Sequence, residues 1–112
     1  MITGHVTAQL EPRIELQVED GAGQLYHVEA AIDTDYSGDL TLPPAMIPIL
    51  ALKWLHKRPF MLADGTIIHL DVYSGVVVWD GHARNVDVDV VGQFPLIGTK
   101  MLAGPVWIAI VP

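Results

Sequence analysis

Along most of the chain, apolar and polar residues alternate with a period of two, which is the pattern of half-buried β-strands. In "RIELQVED", Ile14, Leu16 and Val18 alternate with polar neighbours. After the turn glycines of "GAG", "LYHVEAAID" returns as the second strand of a hairpin. Its apolar content increases toward Asp33, so we expect this strand to run into the interior and to bring Asp33 to a buried location.

Two Asp-Gly pairs, at 64–65 and 80–81, lie between runs rich in strand-forming residues. This is the strongest short-range signal for a β-hairpin. The first pair predicts a hairpin with residues 63–66 at its tip, and the second connects "VYSGVVVW" to "ARNVDVDVV". In the latter segment we interpret Asp87 and Asp89 as a solvated strand face and not as a site.

The remaining segments predict short elements. "LTLP" is a short strand, "PPAMIPILALKWL" predicts a helix over about 44–53 with Pro48 near its start, and "TKMLAG" is about one helical turn. "FPLIG" is a buried apolar run, and "VWIAIV" is a final strand. With about seven strands and two short helices, the chain is predicted to be mainly β, and we treat residues 1–112 as a single domain.

Composition excludes several functional classes. A net charge of -7 with only six Lys and Arg argues against a nucleic-acid partner, which needs clustered positive charge. The absence of cysteine excludes a disulfide framework and a thiolate site, and it fits a reducing compartment, so we expect a cytoplasmic protein. No signal-peptide pattern is present, and the apolar stretch 40–52 is too short to span a bilayer, so no membrane partner is expected.

The chain is unusually hydrophobic for a small acidic domain, with 51% apolar residues and a mean hydropathy of +0.38. A domain of this size has much surface relative to its volume and cannot hide every apolar group alone. The excess favours a second copy of the chain that covers part of the surface, since two-fold dimers are the commonest oligomers. An unusually dense monomer core is the alternative.

Candidate chemistry concentrates in "AIDTDYSGDLTLP". A carboxylate at the end of an apolar strand is costly unless it is paired or hydrogen-bonded, although a turn with Thr34 and backbone amides would also satisfy Asp33. Ser37 lacks the G-x-S-x-G context of a serine hydrolase. No metal and no cofactor are expected, because the histidines show no ligand spacing; they are His5, His27, His56, His69 and His82.

The segment "AIDTDYSGDLTLP" resembles the active-site segment of retropepsin-like aspartic proteases, which carry hydrophobic-Asp-Thr-Gly once per subunit. "FMLADGTIIHL" is similar to the family's flap hairpin, and "FPLIGTKML" is similar to the apolar-apolar-Gly element before its C-terminal helix. "VWIAIV" takes the place of the terminal strand of the dimer sheet. The resemblance covers about residues 10–112. It implies a mainly β acid-protease fold, a closed β-barrel-like half with a flap hairpin and a short C-terminal helix, in a two-fold homodimer.

By the same resemblance, the expected function is that of an aspartic endopeptidase. One Asp33 from each subunit would form a dyad that shares a proton and activates a water for attack on a peptide bond. Thr34 would hydrogen-bond across the two-fold axis. The substrate, a peptide or protein, would contact residues of the loop and of the flap: Ser37, Leu62, Ala63, Asp64, Gly65 and Thr66.

Asp35 completes the catalytic tripeptide and departs from the family pattern, which has glycine there. We consider three interpretations, in this order. Asp35 turns away from the groove and leaves a working protease with a raised pH optimum; it marks an impaired dimer that acts as a peptide-binding or dimerisation module; or four carboxylates of the dimer bind a hard cation. Tyr36 is a smaller departure, because many relatives carry a small or hydroxyl residue there.

Overall fold

The computed structural model describes residues 2–8, 11–103 and 108–111. The described strands, in chain order, are β1 (Ile2–Val6), β2 (Pro12–Glu19), β3 (Leu25–Ile32), β4 (Leu40–Leu42), β5 (Lys53–Met61), β6 (Ile67–Trp79), β7 (His82–Val90), β8 (Leu96–Ile97) and β9 (Ile108–Val111). A 3-10 turn, Pro44–Met46, precedes helix α1 (Ile47–Leu50), and helix α2 (Thr99–Leu102) follows β8. The chain is therefore mainly β, as its pattern predicts. Within the described ranges, no helix is both long and apolar enough to cross a membrane.

The sheet closes into a barrel. Its strands follow the order β5-β6-β7-β4-β8-β3-β2-β1-β9, and an additional pairing joins β6 to β2. Strand β6 is long enough to pair with β5 over its first part and with β2 near its end, where Val77 lies opposite Val18. This pairing confirms the barrel-like half. Its interior is filled by fully buried side chains, among them Ile14, Val18, Leu40, Leu42, Val77, Val88, Ile97 and Met101.

The predicted hairpins form in register. Strands β2 and β3 pair antiparallel, with Leu16 opposite Val28, so the apolar residues of both strands share one face. Strands β6 and β7 are joined by Asp80 and Gly81, whose φ angles of 51° and 79° are both positive. Asp and Gly tolerate this left-handed conformation, which the tight turn of a two-residue hairpin requires.

Two segments differ from the sequence-based expectation. Helix α1 ends before Ala51, which has a φ of 48°, and the chain enters β5 at Lys53, so the helix predicted over 44–53 is shorter. Strand β1 was not predicted; it pairs antiparallel with β2 and parallel with β9. Both outcomes depend on pairing with distant strands. Of "VWIAIV", residues 106–107 lie outside the described residues.

Candidate active site

The loop that begins at Asp33 is held at its start by strand β8. Ile32 lies opposite Ile97 in the parallel β3–β8 pair, and the Asp33 N–H donates to the Ile97 carbonyl at 2.9 Å. The Asp33 carboxylate accepts a hydrogen bond from the Asp35 N–H at 3.0 Å, which gives the Asx-type turn. Asp33 is half-buried, not buried as predicted, because β3 ends at the wall of an open cavity and not in the barrel core.

The other end of this loop packs against the start of α2. The Thr99 N–H donates to the Tyr36 carbonyl at 2.9 Å, and the Gly98 N–H donates to the Asp39 carbonyl at 3.0 Å. A Cβ atom at position 98 would lie 2.2 Å from the Gly38 carbonyl oxygen and 2.7 Å from that of Tyr36. Only glycine fits between these backbone groups, which explains why the apolar run "FPLI" ends in glycine.

A cavity of about 400 Å³ lies in front of Asp33. It is bounded by the loop after β3, by the end of β5 and its hairpin tip, and by the connection between β7 and β8. The lining residues are Asp33, Asp35, Tyr36, Thr41, Phe60, Met61, Leu62, Ala63, Val91, Gly92 and Leu96. Most of this wall is apolar, and its acidic residues are Asp33 and Asp35.

The cavity brings together some of the sequence-predicted site residues and not others. Asp33 and Asp35 line it from the loop, and Leu62 and Ala63 line it from the hairpin. Ser37 lines two smaller neighbouring cavities of about 210 and 230 Å³. The remaining predicted residues do not line the 400 Å³ cavity; they are Thr34, Asp64, Gly65 and Thr66.

The hairpin between β5 and β6 has a well-defined turn at the predicted position. The Leu62 N–H donates to the Thr66 carbonyl at 2.8 Å, and the Thr66 N–H donates to the Asp64 carboxylate at 2.8 Å. This N–H lowers the pKa of Asp64. Gly65 has a φ of +87°, which residues other than glycine rarely adopt. Beside the turn, Met61 and Ile67 lie opposite each other and are 66% and 58% exposed.

A buried network, which the sequence did not predict, connects the loop to the hairpin. Tyr36 is buried, and its hydroxyl donates to the Asp89 carboxylate at 2.5 Å. Arg58, on β5, donates to the same carboxylate through Nε at 2.8 Å and also through Nη2. Burial is the main cause that raises the pKa of Tyr36, and the hydrogen bond to Asp89 is the second. The phenol therefore keeps its proton and remains a donor. The hydrogen bond with Asp89 likewise raises the pKa of Arg58.

The interpretation of Asp87 and Asp89 as a solvated face is therefore wrong for Asp89. Asp89 is 2% exposed, whereas Asp87 is exposed. The reason is non-local, since Tyr36 and Arg58 both cover that end of β7. No period in the sequence of β7 distinguishes the two aspartates.

Asp39 is a second buried carboxylate of the loop, at 4% exposed. It accepts a hydrogen bond from the Asp87 N–H at 3.1 Å, and both Lys100 and Arg84 lie 3.8 Å from its oxygens. Arg84 also donates to the Met101 carbonyl at 2.9 Å. Asp39 thus links the loop to β7 and α2, which gives it a structural role that the sequence did not reveal.

Asp35 occupies an exposed position at the mouth of the cavity. Among the described residues other than glycine, positive φ angles occur at Ala51 and Asp80, so the backbone at Asp35 does not need glycine. Its side chain borders the 400 Å³ cavity and also the 230 Å³ cavity beside β5. Glycine is therefore not required by the backbone conformation at this position, and the main consequence of aspartate here is its charge.

The closed barrel, the aspartate loop packed on a short helix and the hairpin at the edge of the cavity match a retropepsin fold. Among solved structures, the chain is similar to EIAV protease complexed with the inhibitor HBY-793, with a TM-score of 0.62 over 91% of this chain and 100% of that chain. The identity is 16%, so this similarity shows the fold alone. No protein-family model matches the chain. No curated protein sequence matches it either.

Proposed function

We propose that this chain is an aspartic endopeptidase whose active form is a homodimer. The observation that carries the proposal is the position of Asp33, on a fixed loop at the wall of a 400 Å³ cavity beside a hairpin, within a retropepsin fold. The neighbouring solved structure is a protease in complex with an inhibitor, which supports a peptide as the class of ligand.

The chemistry follows from two aspartates with a shared proton. Two carboxylates at the two-fold axis cannot both ionise, so one Asp33 is the general base and the other is the general acid. The base activates a water that attacks the peptide carbonyl, while the acid polarises that carbonyl and the leaving nitrogen is then protonated. No metal or cofactor is required for this reaction.

A dimer is needed because the dyad requires two Asp33 carboxylates and each chain contributes one aspartate loop. Thr34 is exposed in the single chain, as is expected of a residue that hydrogen-bonds to its counterpart across the axis. Large exposed apolar side chains, including Ile49, Trp54, Met61 and Ile67, are consistent with surface that a second copy covers. The hairpin 62–66 would close over an extended peptide and exclude water.

The second candidate is a dimer that keeps the fold and binds peptides without cleaving them. It is favoured by one observation, the Asp35 carboxylate beside Asp33 where the retropepsin-like pattern has glycine. Additional negative charge close to the dyad opposes its ionisation, which would raise the pH optimum or abolish the reaction.

A peptide-library assay from about pH 3 to 8 tests both candidates. We expect the native chain to cleave, with the conservative variant Asp33→Asn inactive. Cleavage that persists in Asp33→Asn would exclude the mechanism. If the native chain is inactive but Asp35→Gly cleaves, the native protein is a catalytically impaired form of the protease, as the second candidate requires. Sedimentation provides a further test, since a strict monomer that cleaves peptides contradicts the dyad.

A further inference from the structure

The carboxylate of Asp35 borders both the 400 Å³ cavity and the 230 Å³ cavity. Its backbone N–H bonds to Asp33, but within the described residues its side-chain oxygens have no hydrogen-bond or ion-pair partner. Arg58 lines the 230 Å³ cavity together with Asp35, but its guanidinium is bound to Asp89 by two hydrogen bonds. A negative charge is thus left available at the mouth of the cavity.

The rest of the 400 Å³ cavity has a different character. Its wall includes the half-buried apolar residues Phe60, Leu62, Val91 and Leu96 and the exposed Met61. A ligand group that complements both parts needs an aliphatic stem and a positively charged end. Lysine and arginine side chains have this composition, since they bury their methylenes along apolar surface and keep the charge at a polar edge.

We infer that Asp35 makes this site selective for peptides with a lysine or arginine side chain next to the reacting bond. The inference rests on the proposed function and names its substrate class. Asp35 acts as a specificity residue that contacts the substrate cation, while Asp33 carries the chemistry. The cation also reduces the repulsion between Asp35 and an ionised Asp33, so a basic substrate offsets the penalty of the extra carboxylate.

Two peptides that differ only in one residue, lysine or norleucine, test the inference, because norleucine keeps the stem and removes the charge. We expect the native chain to prefer the lysine peptide by about tenfold in kcat/KM, chiefly through KM. Asp35→Asn should remove this preference and Asp35→Glu should retain part of it. The preference should also decrease as salt is added, as for any interaction of exposed charges.

Asp87→Asn is the matched control. It removes the same charge from an exposed aspartate that lines neither of the cavities bordered by Asp35, so the lysine preference should persist. Equal cleavage of the two peptides by the native chain, or an unchanged preference in Asp35→Asn, overturns the inference while the proposed protease function stands.

Calorimetry can measure the binding of both peptides to the native chain and to Asp33→Asn. These measurements distinguish a failure of the lysine selectivity from a failure of the proposed protease function. If no cleavage occurs but the lysine peptide binds about tenfold more tightly and Asp35→Asn abolishes the difference, the charge selectivity is established for a non-catalytic site. If neither peptide binds, or both bind equally, the selectivity is refuted.

Discussion

Arg58→Met should destabilise the fold much more than its partly exposed position suggests. The buried Asp89 carboxylate accepts from Arg58 Nε at 2.8 Å, from Arg58 Nη2, and from the Tyr36 hydroxyl at 2.5 Å. The substitution removes the cation and both of its hydrogen bonds, while methionine preserves most of the stem volume. Asp89 is then left buried with Tyr36 as its partner, and no positive charge compensates it.

The magnitude follows from the burial of the two partners. Breaking a buried ion pair by removing one member costs about 3 to 5 kcal/mol. The Arg58 side chain is 34% exposed and that of Asp89 is 3% exposed, so water can replace part of what arginine provides. We therefore expect a loss near the lower limit, about 3 kcal/mol in the free energy of unfolding. Adding Asp89→Asn should restore part of this loss, because the uncompensated charge disappears.

Urea denaturation followed by tryptophan fluorescence measures these free energies. Lys57→Met is the matched control: Lys57 is the preceding residue, its side chain is 63% exposed, and it lies 3.6 Å from Asp71. An exposed pair of this kind contributes less than about 1 kcal/mol. A loss below about 1 kcal/mol for Arg58→Met, or a double variant less stable than Arg58→Met alone, would refute the reasoning. Hydrogen exchange in 53–61 should also increase, since Arg58 fixes β5 to the loop.

Two further outcomes are expected. Because the pKa of Tyr36 is raised in the folded state above its ordinary value of 10.0, the unfolded chain loses this proton first. Stability should thus fall above pH 10 by about 1.4 kcal/mol per pH unit, and Tyr36→Phe should remove that slope; an identical slope in the variant contradicts the assignment. Gly98→Ala should cost about 3 kcal/mol or prevent folding, since its Cβ would lie 2.2 Å from the Gly38 carbonyl oxygen. Gly92→Ala is the control, because Gly92 has a φ of +82° and a Cβ there would have no atom within 4 Å. It should cost about 1 kcal/mol in the same urea assay. Equal losses for Gly92→Ala and Gly98→Ala would show that the contact with the Gly38 carbonyl is not the cause.

Local patterns determined the elements whose contacts are also local. The alternation in β2 and β3 and the two Asp-Gly turns predicted hairpins that form in register. The order of the aspartate loop, the flap-like hairpin and the apolar-apolar-Gly element predicted the retropepsin fold. Sequence also identified Asp33 and Asp35, and both line the same cavity. Their catalytic roles stay a prediction.

Tertiary structure decided the features that depend on residues distant in sequence. The β6–β2 pairing closes the barrel, and pairing with β6 draws Lys53 and its successors into β5 where a helix was expected. Asp87 and Asp89 have the same sequence context, yet only Asp89 is buried, because Tyr36 and Arg58 cover it. The physical reason is that a period in the sequence specifies which face a side chain takes, whereas burial depends on what the rest of the chain places on that face.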